Sequence, residues 1–193
     1  DITTGLYAAI GILMALSERQ KSGVGQFLET TLYETGLAIM HPHAANYFMH
    51  GKPPGLTGNE HPNLVPYAIF PTRTDNIFIG VGNDGTFRKL AKEIGKPELG
   101  TDPRFARNKD RIANRDALRA ELAAVFSQHE AEPLCNRLLS AGLPAGPVQK
   151  IDQALTNPHT LQRGNIIEKG WYKGVASPIR LERTKPSLRR TPP

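Results

Sequence analysis

The hydrophobic positions of this chain fall into blocks of different period, and each period predicts an element. Leu6, Ala8, Ala9, Ile10, Ile12, Leu13, Met14, Ala15 and Leu16 are apolar on every helical face, ahead of Arg19, Lys21 and Gly23. That block predicts a helix buried all round, with Thr3 or Thr4 as N-cap and its end at Gly23. After Gly23-Val24-Gly25, the stretch Gln26-Phe27-Leu28-Glu29-Thr30 alternates like a short strand, and Leu32, Leu37, Ile39 and Met40 return to helical spacing. A buried helix followed closely by a strand points to α/β packing.

From about His50 to Pro66 the chain is rich in breakers, with Pro53-Pro54-Gly55, Gly58 and Pro62, which marks a linker over 51–66. Beyond it, Tyr67-Ala68-Ile69-Phe70 and Ile77-Phe78-Ile79-Gly80-Val81 flank Thr74-Asp75-Asn76 and predict a hairpin. Three helices follow on apolar spacing: Phe87, Leu90 and Ile94; then Leu118, Leu122, Val125 and Phe126, with Asn114 as cap; then Leu134, Leu138 and Leu139. Gly142-Leu143-Pro144-Ala145-Gly146-Pro147-Val148 holds too many breakers for a helix and predicts an ordered turn into an extended piece. A short helix is expected to end at Asn157-Pro158, closing a domain over 67–162. The segment 163–193, with Ile166-Ile167 and Pro178-Ile179-Arg180-Leu181, reads as extended and too poor in apolar residues for its own core. It is expected to return and pack on the first segment, 1–50, or on another subunit.

Composition narrows the class. The chain has 193 residues, one cysteine and 39% hydrophobic residues, which excludes a disulfide scaffold and disorder along the whole length. The longest apolar stretch, Leu6 to Leu16, is shorter than the roughly 20 residues of a membrane span, and no charged-then-apolar leader opens the sequence. The expectation is a cytoplasmic protein without a membrane partner. The net charge of +6 is concentrated at one end: from Leu161 onward eight Lys and Arg stand against two acids, while the first 160 residues balance. Such an arm suits either a polyanion or an acidic protein surface.

Common catalytic signatures are missing: no phosphate loop, dinucleotide glycine fingerprint, Cys-x-x-Cys pair or Gly-x-Ser-x-Gly elbow occurs. His41 and His43 lack further ligands nearby, so no metal site is expected. Cys135, inside an amphipathic segment without a neighbouring His, reads as a small buried apolar residue. Gly58-Asn59-Glu60-His61-Pro62 reads either as a loop bordering a ligand or as a plain linker. Asp102-Pro103-Arg104-Phe105 with Arg111 reads as a structural ion-pair and turn arrangement. Asp1 stands just before the apolar helix, where first-turn amides can hold a carboxylate ionised and oriented. An ionised carboxylate can act as a nucleophile, and the same position equally suits a plain helix-start acid.

Taken in order, these blocks resemble the class III coenzyme A transferases, the CaiB/BaiF family. Asp1-Ile2-Thr3-Thr4-Gly5-Leu6 with Ile10-Gly11-Ile12-Leu13-Met14-Ala15-Leu16 is similar to the family's nucleophile segment, followed by a Lys-x-Gly-x-Gly-Gln turn at Lys21, Gly23, Gly25 and Gln26. Asn63-Leu64-Val65-Pro66-Tyr67, Val81-Gly82-Asn83-Asp84, Asp102 to Phe105, Gly142 to Val148 and Arg189-Arg190-Thr191-Pro192-Pro193 resemble later blocks in the same order. Ala44-Ala45-Asn46-Tyr47 and the Asn63 to Tyr67 block are most similar to the branch that moves coenzyme A between succinate and other dicarboxylates, including hydroxymethylglutarate and citramalate.

The resemblance implies an α/β fold in which 1–50 and 163–193 belong to a large, Rossmann-like domain and 67–162 forms a small α+β domain. It implies an enzyme with acyl-CoA and a carboxylic acid acceptor as substrates, no tightly bound cofactor and no nucleic-acid partner. Asp1 is implied as the nucleophile, passing through a mixed anhydride and an aspartyl-CoA thioester. The family's glycine loop falls near Gly58 and Asn59, implied as CoA-binding, where a single glycine remains and speaks against a mobile lid. The family's interlocked homodimer is implied for the complete protein. The chain is about half a family member, so most CoA contacts are expected upstream of Asp1 and the segment alone is expected to be inactive. Two alternatives accompany this reading: a 2-methylacyl-CoA racemase of the same family, using an upstream histidine, and a non-enzymatic module whose basic arm binds a polyanion.

Overall fold

A computed structural model describes Asp1–Pro192, so the final residue of the Arg189–Pro193 motif, Pro193, lies outside the described residues. The chain is a mixed α/β protein that separates into two units, Asp1–Pro62 and Asn63–Pro193.

The first unit is helical. Helix α1 (Ile2–Ser22) starts with Asp1 at the N-cap and ends at Gly23, whose φ of 75° is the left-handed conformation that glycine adopts freely. Thr3 and Thr4 therefore sit inside the helix and do not cap it. The segment after Gly23 is extended but is not a strand, because among the described residues no neighbouring backbone pairs with Gln26–Thr30. It runs back along α1, where the missing side chain of Gly11 makes room for Leu28. Thr31 then caps α2 (Leu32–Ala38), accepting a hydrogen bond from the Glu34 amide at 3.2 Å. A cis His41–Pro42 bond leads into α3 (His43–His50).

Helix α1 is not buried in this chain, contrary to its pattern. Leu13 is 66% exposed and Met14 68%, and Thr35 is the one buried residue among residues 1–62. An all-round apolar helix needs cover on every side, and α2 with the Leu28 segment supplies only one. Among the described residues no helix is long and apolar enough to cross a membrane.

The second unit holds the core. Strands β1 (Tyr67–Pro71) and β2 (Asn76–Gly80) pair antiparallel with Phe70 opposite Ile77, and β3 (Ala145–Pro147) joins the other edge of β2. Alternation sends Ala68, Phe70, Ile77 and Ile79 to one face. Against that face pack α4 (Asp84–Glu93), α6 (Arg115–Phe126) and α7 (Ala131–Ser140) through Phe87, Leu118, Leu122, Phe126 and Leu138, all with no measurable exposure. Phe70 and Phe126 meet edge to face at 5.3 Å between centroids. The hairpin turn is tied to the junction of α6 and α7: the Arg73 amide donates to the His129 carbonyl at 2.8 Å, and the Ala131 amide donates to Thr74 Oγ1 at 3.1 Å.

Two pieces lie outside the sequence expectations. Helix α5 (Asn108–Ala113) carries too little apolar pattern to announce itself. The short helix α8 (Ile151–Thr156) does end at Asn157-Pro158, but Pro158 then opens an unforeseen α9 (Pro158–Gln162), its missing amide being one the first turn leaves free, with Asn157 as cap. The expected extended remainder is a separate hairpin of β4 (Ile166–Lys169) and β5 (Tyr172–Val175), followed by an irregular tail.

Candidate functional site

Asp1 stands exposed at the head of α1, and its carbonyl accepts the first helical hydrogen bond, from the Gly5 amide at 2.9 Å. Its side chain caps no amide, which corrects the expectation that first-turn amides would hold it. In water the short Asp side chain is solvated instead, and the helix dipole remains the only helical influence on it.

Gly58 and Asn59 form the middle of an exposed turn in which the Glu60 amide donates to the Thr57 carbonyl at 3.0 Å. Gly58 has a φ of 57°, open to glycine and strained for a side chain. Among the described residues no hydrogen bond or ion pair joins Gly58 or Asn59 to Asp1.

Immediately after this loop lies an arrangement that sequence reasoning missed. Asn108, the first residue of α5, grips the start of the second unit with both ends of its amide: Nδ2 donates to the Asn63 carbonyl at 2.8 Å, and Oδ1 accepts from the Val65 amide at 3.1 Å. One turn later, the fully buried Arg111 donates through Nε to the Val65 carbonyl at 2.6 Å and through Nη1 to the Phe105 carbonyl at 2.9 Å. Its Nη2 donates to Asp84 Oδ1 at 2.9 Å, and that oxygen also receives the Asn108 amide at 2.8 Å. The guanidinium stacks over the Phe87 ring, 4.5 Å from its centroid. Burial pushes the Arg111 pKa down, and the bond and charge of Asp84 oppose that push. Asp84 sits in the first turn of α4, which is closed by a capping box between Asn83 and Thr86.

The expected ion-pair arrangement around Asp102 divides in two. Asp102 pairs with Arg104 at 2.7 Å and accepts its backbone amide at 2.8 Å, a closed turn in which the Arg104 hydrogen bond holds the Asp102 pKa down. Arg111 takes Asp84 as its partner instead. Cys135 lies buried in α7, where desolvation pushes its thiol up to about 11, as befits an inert apolar residue. His41 is exposed, while Nδ1 of His43 is buried without a hydrogen-bond partner. Among the described residues no group of three or more His, Cys, Asp or Glu side chains is placed to hold a metal ion.

Comparison with known proteins gives a consistent result. The sequence signature of CoA-transferase family III matches residues 1–193. The acetyl-CoA:oxalate CoA-transferase of Acetobacter aceti is 33% identical over 94% of this chain and 46% of its own length. The succinyl-CoA:D-citramalate CoA-transferase of Chloroflexus aurantiacus is 35% identical over 100% of this chain and 48% of its own. The crystal structure of a CaiB/BaiF family protein from Brucella suis superposes with a TM-score of 0.76 at 36% identity, covering 99% of this chain and 50% of that one. The chain spans about half the length of the curated relatives it matches. With the signature matched from end to end and the fold shared at this identity, the chain belongs to CoA-transferase family III.

Proposed function

We propose that the protein carrying these residues is an acyl-CoA:carboxylate CoA-transferase, with Asp1 as its nucleophile and a dicarboxylate among its substrates. The observation that carries this reading is the end-to-end family match together with relatives named for CoA transfer to oxalate, glutarate and citramalate. Residues 1–50 and 163–193 are read as parts of a large domain and 67–162 as the small one. Gly58 and Asn59 are read as weak CoA contacts, and the complete protein as an interlocked homodimer.

The chemistry follows from the carboxylate. Asp1 attacks the thioester carbonyl carbon of the donor acyl-CoA, the carbon–sulfur bond breaks, and CoA leaves as thiolate with the bonding pair. The thiolate attacks the Asp1 carbonyl carbon of the mixed anhydride, releasing the donor as a free carboxylate and leaving an aspartyl-CoA thioester. An acceptor carboxylate then attacks that thioester, expels the thiolate and forms a second anhydride. Thiolate attack on the acceptor's acyl carbon yields the new acyl-CoA and restores the Asp1 carboxylate. No net proton or electron is consumed, and each step exchanges acyl groups of similar transfer potential. An exposed, uncapped carboxylate supports this role, because it spends no lone pair on its own helix.

The test is intact-mass analysis of the complete protein after mixing with succinyl-CoA and trapping with hydroxylamine or borohydride. Modification that maps to Asp1 is expected. Solvent deuterium at the α-carbon of a 2-methylacyl-CoA, with Asp1 unmodified, would replace the transferase reading by the racemase.

A further inference from the structure

Two cations near the C-terminal end of the chain are fixed in place without being neutralised. From Leu161 onward eight Lys and Arg face two acids, and one of those acids, Glu168, is taken by Lys173 at 2.6 Å. Arg180 is held instead by neutral acceptors: its Nη2 donates to the Arg163 carbonyl and to Asn165 Oδ1, the latter at 2.7 Å. Lys169 likewise donates through Nζ to the carbonyls of Leu188 and Arg189, at 3.1 and 2.8 Å, so the arm between 180 and 188 is tied at both ends. Within that arm Arg180 and Lys185 line a cavity of about 340 Å³, together with Ser177 and the apolar Ile167, Leu181 and Pro186. No carboxylate lines it, and among the described residues neither Arg180 nor Lys185 makes an ion pair. The Nη1 and Nε hydrogens of Arg180 and the whole Lys185 ammonium therefore remain as donors. The Ser177 hydroxyl, which accepts from the Ile179 amide at 3.2 Å, keeps its own proton to donate.

The geometry points to this cavity as a binding site for a multiply charged anion on a short carbon frame, a phosphate monoester or a dicarboxylate. A guanidinium fixed by neutral acceptors keeps its full charge and the rest of its fork for a ligand, and it is already ordered before one arrives. The Lys185 ammonium supplies a second charge and the Ser177 hydroxyl an uncharged donor, the mixture that oxyanions take. The apolar side chains suit a carbon skeleton, and the volume lies at the lower end of the range for small-ligand pockets. Both substrates of the proposed function carry such groups, the 3′-phosphate of CoA and the two ends of a dicarboxylate. The site binds its anion whether or not the protein transfers CoA.

Calorimetric titration of the complete protein tests the site with CoA, with dephospho-CoA, which lacks the 3′-phosphate, and with succinate. Lys185→Gln removes one charge from the cavity and, among the described residues, no bond from the fold. Arg183→Gln removes the same charge from the same arm but outside the cavity, and so controls for the general field. Lys185→Gln is expected to raise Kd about tenfold for CoA or for succinate, and Arg183→Gln by less than about twofold. A loss seen with CoA and absent with dephospho-CoA identifies the bound group as the phosphate monoester. A loss seen with succinate while CoA is unaffected identifies it as the dicarboxylate. Equal losses in the two variants would reduce the site to the diffuse field of the arm and overturn it. Unchanged Kd values for all three probes would overturn it too, and a lowered unfolding temperature of Lys185→Gln alongside them would show the ammonium packed on protein instead.

Discussion

Arg111 and Asp84 lie 27 residues apart in sequence and 2.9 Å apart in the fold, one side chain fully buried and the other 40% exposed. The asymmetry decides what each substitution costs. Removing the cation strips donors from the Val65 and Phe105 carbonyls inside the protein, whereas removing the anion's charge leaves an isosteric oxygen that still accepts. Breaking a buried pair from one side costs about 3–5 kcal/mol, and Asp84, half in water, can be re-solvated. Arg111→Met is therefore expected to destabilise the complete protein by about 3 kcal/mol and Asp84→Asn by about half as much. Denaturant unfolding of the two variants checks the order, and a larger loss for Asp84→Asn would contradict it. Arg111→Lys should fall near Arg111→Met, because an ammonium cannot reach three separated acceptors in one plane.

The edge-to-face contact of Phe126 with Phe70 joins the end of α6 to the sheet, and neither ring is measurably open to solvent beyond 2%. Phe126→Ala should cost about 3–5 kcal/mol, from lost transfer energy and the cavity left between helix and strand. Phe126→Leu should cost clearly less, since it keeps most of the volume and loses the ring pairing. Thermal unfolding of both variants distinguishes this packing role, which predicts that order, from one in which the position tolerates either change equally.

The core of the second unit was legible because its information is local. Phe87, Leu90 and Ile94, and likewise Leu118, Leu122 and Phe126, repeat at helical spacing, and the hairpin around Thr74-Asp75 is bounded by alternating strands. Where local pattern and tertiary partner part company, the reading failed. Gln26–Thr30 alternates like a strand but meets no second strand, and α1 is apolar all round without being covered by this chain. Helix α5 is set by tertiary bonds, above all Asp84 accepting the Asn108 amide, and its six residues carry too few apolar positions for a period. The pairing of Arg111 with Asp84 has no signal in a single sequence, since any acid at any separation would serve equally well on paper. Asp1 reads as a helix-start acid from its position, and its proposed nucleophilic role comes only from the resemblance.

Cys135 tests whether burial alone governs its chemistry. Desolvation raises its thiol from an ordinary 9.0 to about 11, so the folded protein keeps the proton where the unfolded chain has released it. Stability contributed by the neutral buried thiol is therefore present below pH 9 and is lost as pH rises through about 11. The difference in stability between the unmutated protein and Cys135→Ala should narrow across that window, and iodoacetamide at pH 8 should label the residue only after denaturation. Rapid labelling of the native protein would show an accessible thiolate and overturn this account.

Asp1→Asn tests the proposed nucleophile apart from the helix it precedes. The side chain makes no capping bond, so the exchange of a carboxylate for an amide removes only the charge's interaction with the α1 dipole, and the unfolding free energy should fall by no more than about 1 kcal/mol. Binding of CoA should also persist, because the amide has nearly the shape of the carboxylate. The amide nitrogen, however, is a poor nucleophile toward a thioester, and a step that splits one hard exchange into two easier ones is lost with it. Turnover is expected to fall by at least about a thousandfold with KM little changed, the pattern of an interaction made only along the reaction coordinate. The hydroxylamine-trapped adduct should vanish in the same variant. A fall in turnover matched by an equal loss of CoA binding or of folding would instead make Asp1 a structural acid, and a variant that keeps both turnover and the adduct would place the nucleophile elsewhere.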